Sequence, residues 1–509
     1  MSWVGVDIGG TFTDVVVYDE ATRRLRTVKT PSVQTDLTRS VQDGLEKAGV
    51  TLPSVSRFVH GTTLATNTIL EGKGARTALV TTQGFRDALE LGLGNRMVLY
   101  KLDYRKPAPL ACRPLRLEVD ERTLAGGRVL KGVSRMKIMP IYRRLAEEGV
   151  EAVAVCFLHA YSNRRNEDRA RAMLESRLPG VFVTTSAEVV PEFREYERFS
   201  TTVLNAYVAP AISRYLRGLR GRLQDGGFQG PLQVMTSSGG VMSPEEAARL
   251  PVNLLYSGPA GGVIAAAHLS RLLGEPRLIA YDMGGTSTDV CLIRDGTPAM
   301  TTEGEIFGYP NKTLQVEIES IGAGGGSIAW MDRGGVLAVG PKSAGADPGP
   351  ACYVRGGLEP TVTDANLLLN RLSPDSLRAG GVDLRPDLAR KAVRRIARHF
   401  PTLDEARTAE GIVRIAVARM VSAVKAITVG KGHDPREFTL LAYGGAGPMH
   451  AAFIAEESAI GRILIPPAPG NFSALGLLLA DHRRNFVRTR ISPSRETSLR
   501  LIRETFGEL

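Results

Sequence analysis

Apolar residues in this chain recur with two periods that keep trading places. Short runs at residues 4–6, 15–18 and 25–30 read as strands, and residues 35–48 carry the spacing of an amphipathic helix. A strand ending at His60, a helical 65–71, an extended 77–81, a helix at 141–148 and an all-apolar strand at 152–157 continue the alternation. Residues 95–137 are richer in Arg, Pro and Gly and read as an inserted β-rich piece. Residues 194–223 are a long amphipathic helix able to connect two halves, with Pro210 predicting a kink or a break because proline removes a backbone donor.

The second half repeats the pattern. A strand at 232–236 and a turn at 237–240 precede a helix signalled by the capping sequence Ser243-Pro244-Glu245-Glu246. An extended 254–256 runs into Ser257-Gly258-Pro259-Ala260-Gly261-Gly262, which opens an apolar helix at 263–273. Small-residue loops at 322–327 and 343–350 are followed by helices at 364–371, 386–399 and 406–429. A strand at 439–443 breaks at Gly444-Gly445-Ala446-Gly447-Pro448 and leads into a helix at 449–457. Leu499, Ile502 and Phe506 share one face of a last amphipathic helix, the start of a further C-terminal region. Strands alternating with helices predict an α/β protein.

One phrase occurs twice. Asp7-Ile8-Gly9-Gly10-Thr11-Phe12-Thr13-Asp14-Val15 returns 275 residues later as Asp282-Met283-Gly284-Gly285-Thr286-Ser287-Thr288-Asp289-Val290, identical at seven of nine positions. Apolar runs flank each copy, so each reads as two strands around a glycine turn. Such a turn brings bare N–H groups and a hydroxyl close to an anion, since glycine has no Cβ to hold it off. A tight turn in which Asp and Thr satisfy the local backbone would use the same residues. Two copies with matching polar positions favour phosphate held between two related lobes. Gly9, Gly10, Thr11, Gly284, Gly285 and Thr286 would then grip phosphate, and Asp7, Asp14, Asp282 and Asp289 would orient metal-bound water or a nucleophile. The loop at 444–448, after a strand and before a helix, sits where an adenosine-contacting loop belongs.

Composition narrows the classes. The chain has 509 residues, long enough for two to four domains, and its net charge is +11. The densest basic stretch, residues 390–398, alternates its charges with Val393, Ile396 and Ala397, so the charges lie on the solvated face of a helix and call for no nucleic acid. No apolar run approaches the ~20 residues needed to span a bilayer. The N-terminus has no basic region ahead of its strand, which argues against a signal peptide. Cys112, Cys156, Cys291 and Cys352 are far apart, as reduced thiols of a cytoplasmic protein are, and the seven histidines show no metal-ligand spacing.

These phrases together resemble the hydantoinase A / 5-oxoprolinase family, whose members include N-methylhydantoinase subunits and β-type subunits of acetone carboxylase. The resemblance is carried by residues 7–14, His60-Gly61-Thr62-Thr63-Leu64-Ala65-Thr66-Asn67, Arg194-Glu195-Tyr196-Glu197-Arg198, 257–262, 282–289, 321–327, 343–352, 361–366 and 444–448. Two departures stand out. The family continues into a C-terminal region beyond this point, and its Asn-Pro-x-His-Glu is here Asn163-Arg164-Arg165-Asn166-Glu167, which puts a non-titratable Asn166 in place of the histidine.

The resemblance implies two related ribonuclease-H-like lobes of the actin-like ATPase kind with a nucleotide cleft between them. Their expected extents are 1–190 and 231–485, with a connecting helix at 191–230 and a C-terminal region starting at 486–509. It implies ATP and Mg²⁺, the metal held by Asp7 and Asp282 through water. ATP contacts fall to Gly9, Gly10, Thr11, Phe12, Thr13, Gly284, Gly285, Thr286, Ser287, Gly444, Gly445 and Ala446. The substrate side falls to His60, Thr62, Thr63, Asn67 and Asp364, although Thr62 or Thr63 can equally cap the helix that follows, and Asp364 can equally cap its own. The implied reaction is phosphorylation and opening of a cyclic amide or imide, with a hydantoinase B-type partner subunit and an oligomeric assembly. Carboxylation of a ketone enolate and a non-catalytic nucleotide switch are the alternatives.

Overall fold

Three sheets organise the protein, seen in a computed structural model that describes every residue except 11, 34–35, 96–98, 101, 377–382, 493–496 and 508–509. Both copies of the repeated phrase are hairpins at the centre of a sheet. In the first, Ser2–Ile8 pairs antiparallel with Phe12–Asp19, which pairs with Arg24–Pro31. On its other edge Ser2–Ile8 runs parallel to Val55–Thr62, which runs parallel to Leu232–Met235. In the second, Arg277–Met283 pairs antiparallel with Thr288–Arg294, then runs parallel to Thr439–Tyr443, beside Arg462–Leu464. The hairpin, its parallel neighbour and the outer parallel strand therefore follow the same order in both lobes, the arrangement expected of an actin-like ATPase fold.

The third sheet is an insertion into the first lobe. Phe182–Thr185, Ala152–Cys156, Thr77–Thr82 and Arg116–Val119 lie parallel in that order. Its two central strands are buried at every residue, which explains their unbroken apolar or Thr-rich sequence: helices cover both faces. The described part of 95–137 contributes Arg116–Val119 to this sheet, one small hairpin, a 3-10 turn at Arg113–Leu115 and the start of the helix Arg135–Glu147, with the rest irregular.

Several sequence-based boundaries move. Leu232–Met235 joins the first sheet, so residues assigned to the second lobe complete the first. The long helix, Glu195–Asp225, runs unbroken through Pro210. It packs on the inserted sheet and on the first lobe through Phe199, Val203, Leu204, Ile212 and Leu216. It therefore ties the insertion to its host lobe. The segment 254–256 is not a strand, and the glycine-rich 257–262 is the first part of a helix, Ser257–Leu273. Glycine weakens a helix by about 1 kcal/mol, and here packing overrides that preference. A Cβ on Gly476 would lie 1.8 Å from the Gly261 carbonyl oxygen, and one on Gly261 would lie 2.7 Å from that of Ser473. Ser257–Leu273 and Phe472–Leu479 can cross this closely only on bare backbone. Phe472–Leu479 also packs Ala474 and Leu478 against Val16 of the first hairpin, so this helix pair joins the two lobes.

Candidate active site

Each repeat closes its turn with the same bond. The Gly9 N–H donates to the Phe12 carbonyl at 2.9 Å, and the Gly284 N–H to that of Ser287 at 3.1 Å. Strand register sets Asp7 opposite Asp14 and Asp282 opposite Asp289, so each hairpin carries two facing carboxylates at the same place. Thr13 and Thr288, equivalent within the phrase, are both fully buried. Thr13 bonds Ser32 at 3.0 Å, while Thr288 donates to the Ala323 carbonyl at 2.5 Å. The Thr13 hydroxyl, expected at the nucleotide, instead holds the turn from behind. Thr11 lies outside the described residues. A Cβ placed on Gly10 or Gly445 would meet nothing within 4 Å, and Gly285 and Thr286 are exposed, so both turns present backbone to open space.

Two further loops brace the second turn. The N–H groups of Gly325 and Gly326 donate to the carbonyls of Gly284 and Gly285 at 3.1 and 2.6 Å, and a Cβ on Gly324 would sit 2.7 Å from the backbone of Gly285 and Thr286. The 444–448 loop lies against the same hairpin. Ala446 N–H donates to the Met283 carbonyl at 2.9 Å. Gly444 has φ +82°, and a Cβ there would stand 2.2 Å from Asp282 Oδ1.

The carboxylates are poised electrostatically. Burial, with Asp14 adding repulsion, lifts the Asp7 carboxyl to about 7. Burial lifts Asp282 to about 7, with Asp289 and, more weakly, Asp7 contributing repulsion. Burial raises Asp289 to about 6 against a hydrogen bond from Ser320. Asp282 accepts from the Ser473 hydroxyl at 3.1 Å, whereas Asp7 Oδ1 is buried with no hydrogen-bond partner. An orphaned carboxylate oxygen on a strand that sets Asp7 opposite Asp14 fits a hydrated divalent cation, since Mg²⁺ sites use one or two carboxylates plus phosphate. Among the described residues no group of three or more His, Cys, Asp or Glu side chains forms a metal site of its own.

These shifts carry a pH signature. The folded values lie above the usual Asp value of 3.8, so between pH 4 and 7 the folded state holds more protons than the unfolded one, and these groups lose stabilising effect as pH rises. The ligand-free Asp282→Asn variant, which has nothing to ionise there, should gain on wild type in urea-unfolding midpoint from pH 5 to 7. A difference that stays flat across that range counts against the paired carboxylates.

The expected substrate side divides. His60 is fully buried: its Nδ1–H donates to the Val6 carbonyl at 3.1 Å, and Nε2 accepts from Tyr215 Oη at 2.8 Å. Burial lowers it to about 4, so it is a neutral core histidine with both nitrogens engaged and no access to substrate. Asp364 is likewise removed from any substrate role. It is fully buried in a capping box and accepts from the N–H groups of Ala351, Cys352 and Thr361 and from the Thr361 hydroxyl. Thr62 is buried and accepts from Leu64 N–H at 3.2 Å. Thr63 and Asn67 are partly exposed and bonded to each other at 3.3 Å. Thr63 stays beside the cleft: a Cβ on Gly258 would lie 3.7 Å from its methyl and 3.8 Å from Asp7 Oδ1. Asn166, in place of the family's histidine, is buried and bonded to Glu121, the Lys131 carbonyl and Val133 N–H, so that position is structural.

Four contributors carry no clear sign in the sequence. Gly258, at the N-terminus of Ser257–Leu273, reaches Asp7 from the helix pair that joins the lobes. Ser473 reaches Asp282, and Asn471 donates to Asp14 at 2.8 Å. Lys29 Nζ lies 2.5 Å from Asp14 Oδ1. Gly258 belongs to one of the family phrases, which gives it no role by itself, and for the other three only strand register and tertiary packing supply a signal.

Comparison with known proteins bears on the family and the fold. The family model described as hydantoinase/oxoprolinase N-terminal region matches residues 3–178, and that described as hydantoinase/oxoprolinase matches 198–486. The chain is 40% identical over 99% of its length to an uncharacterized protein of Methanocaldococcus jannaschii, of which it covers 76%. It is 35% identical over 96% of its length to the caprolactamase subunit alpha of Pseudomonas jessenii, of which it covers 71%. The solved structure of the ATP-dependent caprolactamase from P. jessenii superposes with a TM-score of 0.82 over 94% of this chain and 71% of that one. A nucleotide-free acetone carboxylase, from work on ATP-dependent acetone carboxylation, superposes with a TM-score of 0.83 at 27% identity, over 94% of this chain and 70% of that one.

Proposed function

The chain belongs to the hydantoinase/oxoprolinase family, and from that premise we propose that it is the ATP-using part of an enzyme that phosphorylates and opens a cyclic amide or imide. The observation that carries this reading is the pair of matched glycine hairpins, each of which sets one aspartate opposite another at the same place, Asp7 with Asp14 and Asp282 with Asp289. The polyphosphate lies against the turns Gly9–Gly10 and Gly284–Gly285, in which Gly10 and Gly285 are exposed, with Phe12 and Ser287 flanking the turns and the nucleoside against Gly444–Ala446. Asp7 and Asp282 would hold Mg²⁺, which would supply charge neutralisation to the transferring phosphoryl group. The acceptor enters beside Thr63, Asn67 and Gly258.

The chemistry explains the need for ATP. A lactam carbonyl is a poor electrophile because its nitrogen donates into it. Transfer of the γ-phosphoryl group of ATP to the carbonyl oxygen releases ADP and, with loss of the N–H proton, gives an imidate phosphate. One water adds at carbon and the ring nitrogen leaves as the amine, and a second water cleaves the resulting acyl phosphate to carboxylate and phosphate. Such transfer rests on in-line positioning and charge stabilisation more than on a strong acid. A second subunit for ring opening fits the naming of the caprolactamase relative as a subunit, and an oligomeric assembly follows from it. A cytoplasmic location suits four cysteines that are all free thiols. Among the described residues no helix is long and apolar enough to cross a membrane.

The acetone carboxylase likeness supports a second reading, in which a phosphorylated ketone enolate meets bicarbonate. ADP release measured against hydantoins, 5-oxoproline and caprolactam, and against small ketones with bicarbonate, separates the two. Stimulation by a cyclic amide is the expected result, while stimulation only by ketone with bicarbonate transfers the assignment. No stimulation by any of them, with nucleotide-dependent partner binding, supports a nucleotide switch instead. Gly10→Asp places a carboxylate where a side chain meets nothing within 4 Å, so it should leave the melting temperature unchanged and weaken Mg-ATP binding by about 10-fold or more. Undiminished affinity in calorimetry removes the first turn from the nucleotide site.

A further inference from the structure

The two hairpins match in backbone and in carboxylates, yet the strand beyond each carries a different residue opposite the second aspartate. In the first lobe the residue opposite the second aspartate is Lys29, paired with Asp14. In the second lobe the residue opposite Asp289 is Ser320. The lobes therefore meet the same ligand with unequal charge.

We propose that Lys29 is the phosphate-positioning cation of the cleft and that Asp14 is its anchor rather than a catalytic group. Four carboxylates and a polyphosphate cannot share a cleft without cations, and one divalent ion offsets only part of that charge. Lys29 is where the offset is available. Its Nζ is 2.5 Å from Asp14 Oδ1 and its side chain remains 30% exposed. The ammonium also stands 5.2 Å from the centroid of Phe12, the residue whose carbonyl closes the first glycine turn. An ammonium has three donors, and one bond to Asp14 leaves capacity for phosphate oxygen. Asn471 donates to the same Asp14 oxygen at 2.8 Å and to the Val28 carbonyl at 3.2 Å, which fixes the anchor from the other side. The charge on Lys29 extends to Asp7 and Asp282 as well. Asp289 has Ser320 opposite it in place of a lysine, so the second lobe lacks this cation at the matching position. This inference rests on the ATP reading above and sets the work of Asp14 apart from that of the other aspartates.

The test compares wild type with Lys29→Met and Lys29→Arg, measuring Mg-ATP binding by calorimetry and adenosine binding by ligand-observed NMR. Loss of a charge-assisted bond to phosphate predicts about 10- to 100-fold weaker Mg-ATP binding for Lys29→Met. Adenosine binding should be unchanged, and Lys29→Arg should restore Mg-ATP to within about 3-fold of wild type, since arginine keeps the charge. Unchanged Mg-ATP affinity in Lys29→Met overturns the inference alone, as does a parallel fall in ATP and adenosine, which marks Lys29 as structural. A wild-type protein that binds no Mg-ATP overturns the functional reading and this inference together.

Discussion

Asp7→Asn should lower substrate-stimulated ATP turnover by about 10²–10³-fold, the size of effect seen when one fixed electrostatic contact to a reacting group is lost. The substitution keeps the shape of the side chain, so backbone pairing with Asp14 and Gly61 is preserved. It removes the negative charge of a side chain whose Oδ1 is buried without a hydrogen-bond partner. The same change should stabilise the ligand-free protein at pH 7, because Asp7 then no longer repels Asp282 or requires a proton to stay buried. Activity and stability thus move in opposite directions, as they do where a site holds strain for function. Steady-state kinetics and urea unfolding on the same preparation check both halves. Turnover within a few-fold of wild type rules Asp7 out of the chemistry.

Arg198→Ala should destabilise the inserted domain by about 3–5 kcal/mol, the usual cost of leaving one member of a buried ion pair alone. Arg198 and Glu167 are both fully buried, with 3.9 Å between their charged groups. Arg198 donates to the Phe157 carbonyl at 3.0 Å and to Ser186 Oγ. Glu167 accepts from Phe157 N–H, Ala187 N–H and Ser186 Oγ at 2.7, 2.8 and 2.6 Å. Burial raises the Glu167 carboxyl to about 7 even with Arg198 opposing the shift, so removing Arg198 leaves the acid protonated and the bonds to the Phe157 carbonyl and Ser186 unmade. The double variant Arg198→Met with Glu167→Gln should recover part of the loss, because it takes both charges out of the interior. A cost below about 1 kcal/mol in denaturant unfolding contradicts this account of the pair.

How much of this is legible in the sequence depends on how local the cause is. The two hairpins can be read directly, since a glycine turn between apolar strands is specified by neighbours in sequence and the duplication doubles the signal. The strand at 439–443 and most helices also appear where periodicity places them. His60 misleads because a histidine closing a strand beside Gly-Thr-Thr looks accessible. Tyr215, 155 residues away on the long helix, covers it and takes its second nitrogen. Asp364 misleads for a related reason: its capping role is legible, but the two loop N–H groups from Ala351 and Cys352 that complete its shell come from a cis-proline-containing loop brought in by folding. The glycine run at 257–262 reads as a lead-in to the helix because glycine disfavours helices in isolation, and only the crossing with Phe472–Leu479 reverses that preference.

The sequence by itself determined the duplicated glycine hairpins, the aspartates that flank them and the α/β alternation around them, because each depends on backbone preferences and spacing within a few residues. Tertiary structure alone decided that Leu232–Met235 completes the first lobe, that Ser473 of the joining helix pair reaches Asp282, and that Lys29 stands opposite Asp14 where Ser320 stands opposite Asp289. Those are matters of strand register and of burial between distant segments, and charge acts through the distances that folding creates.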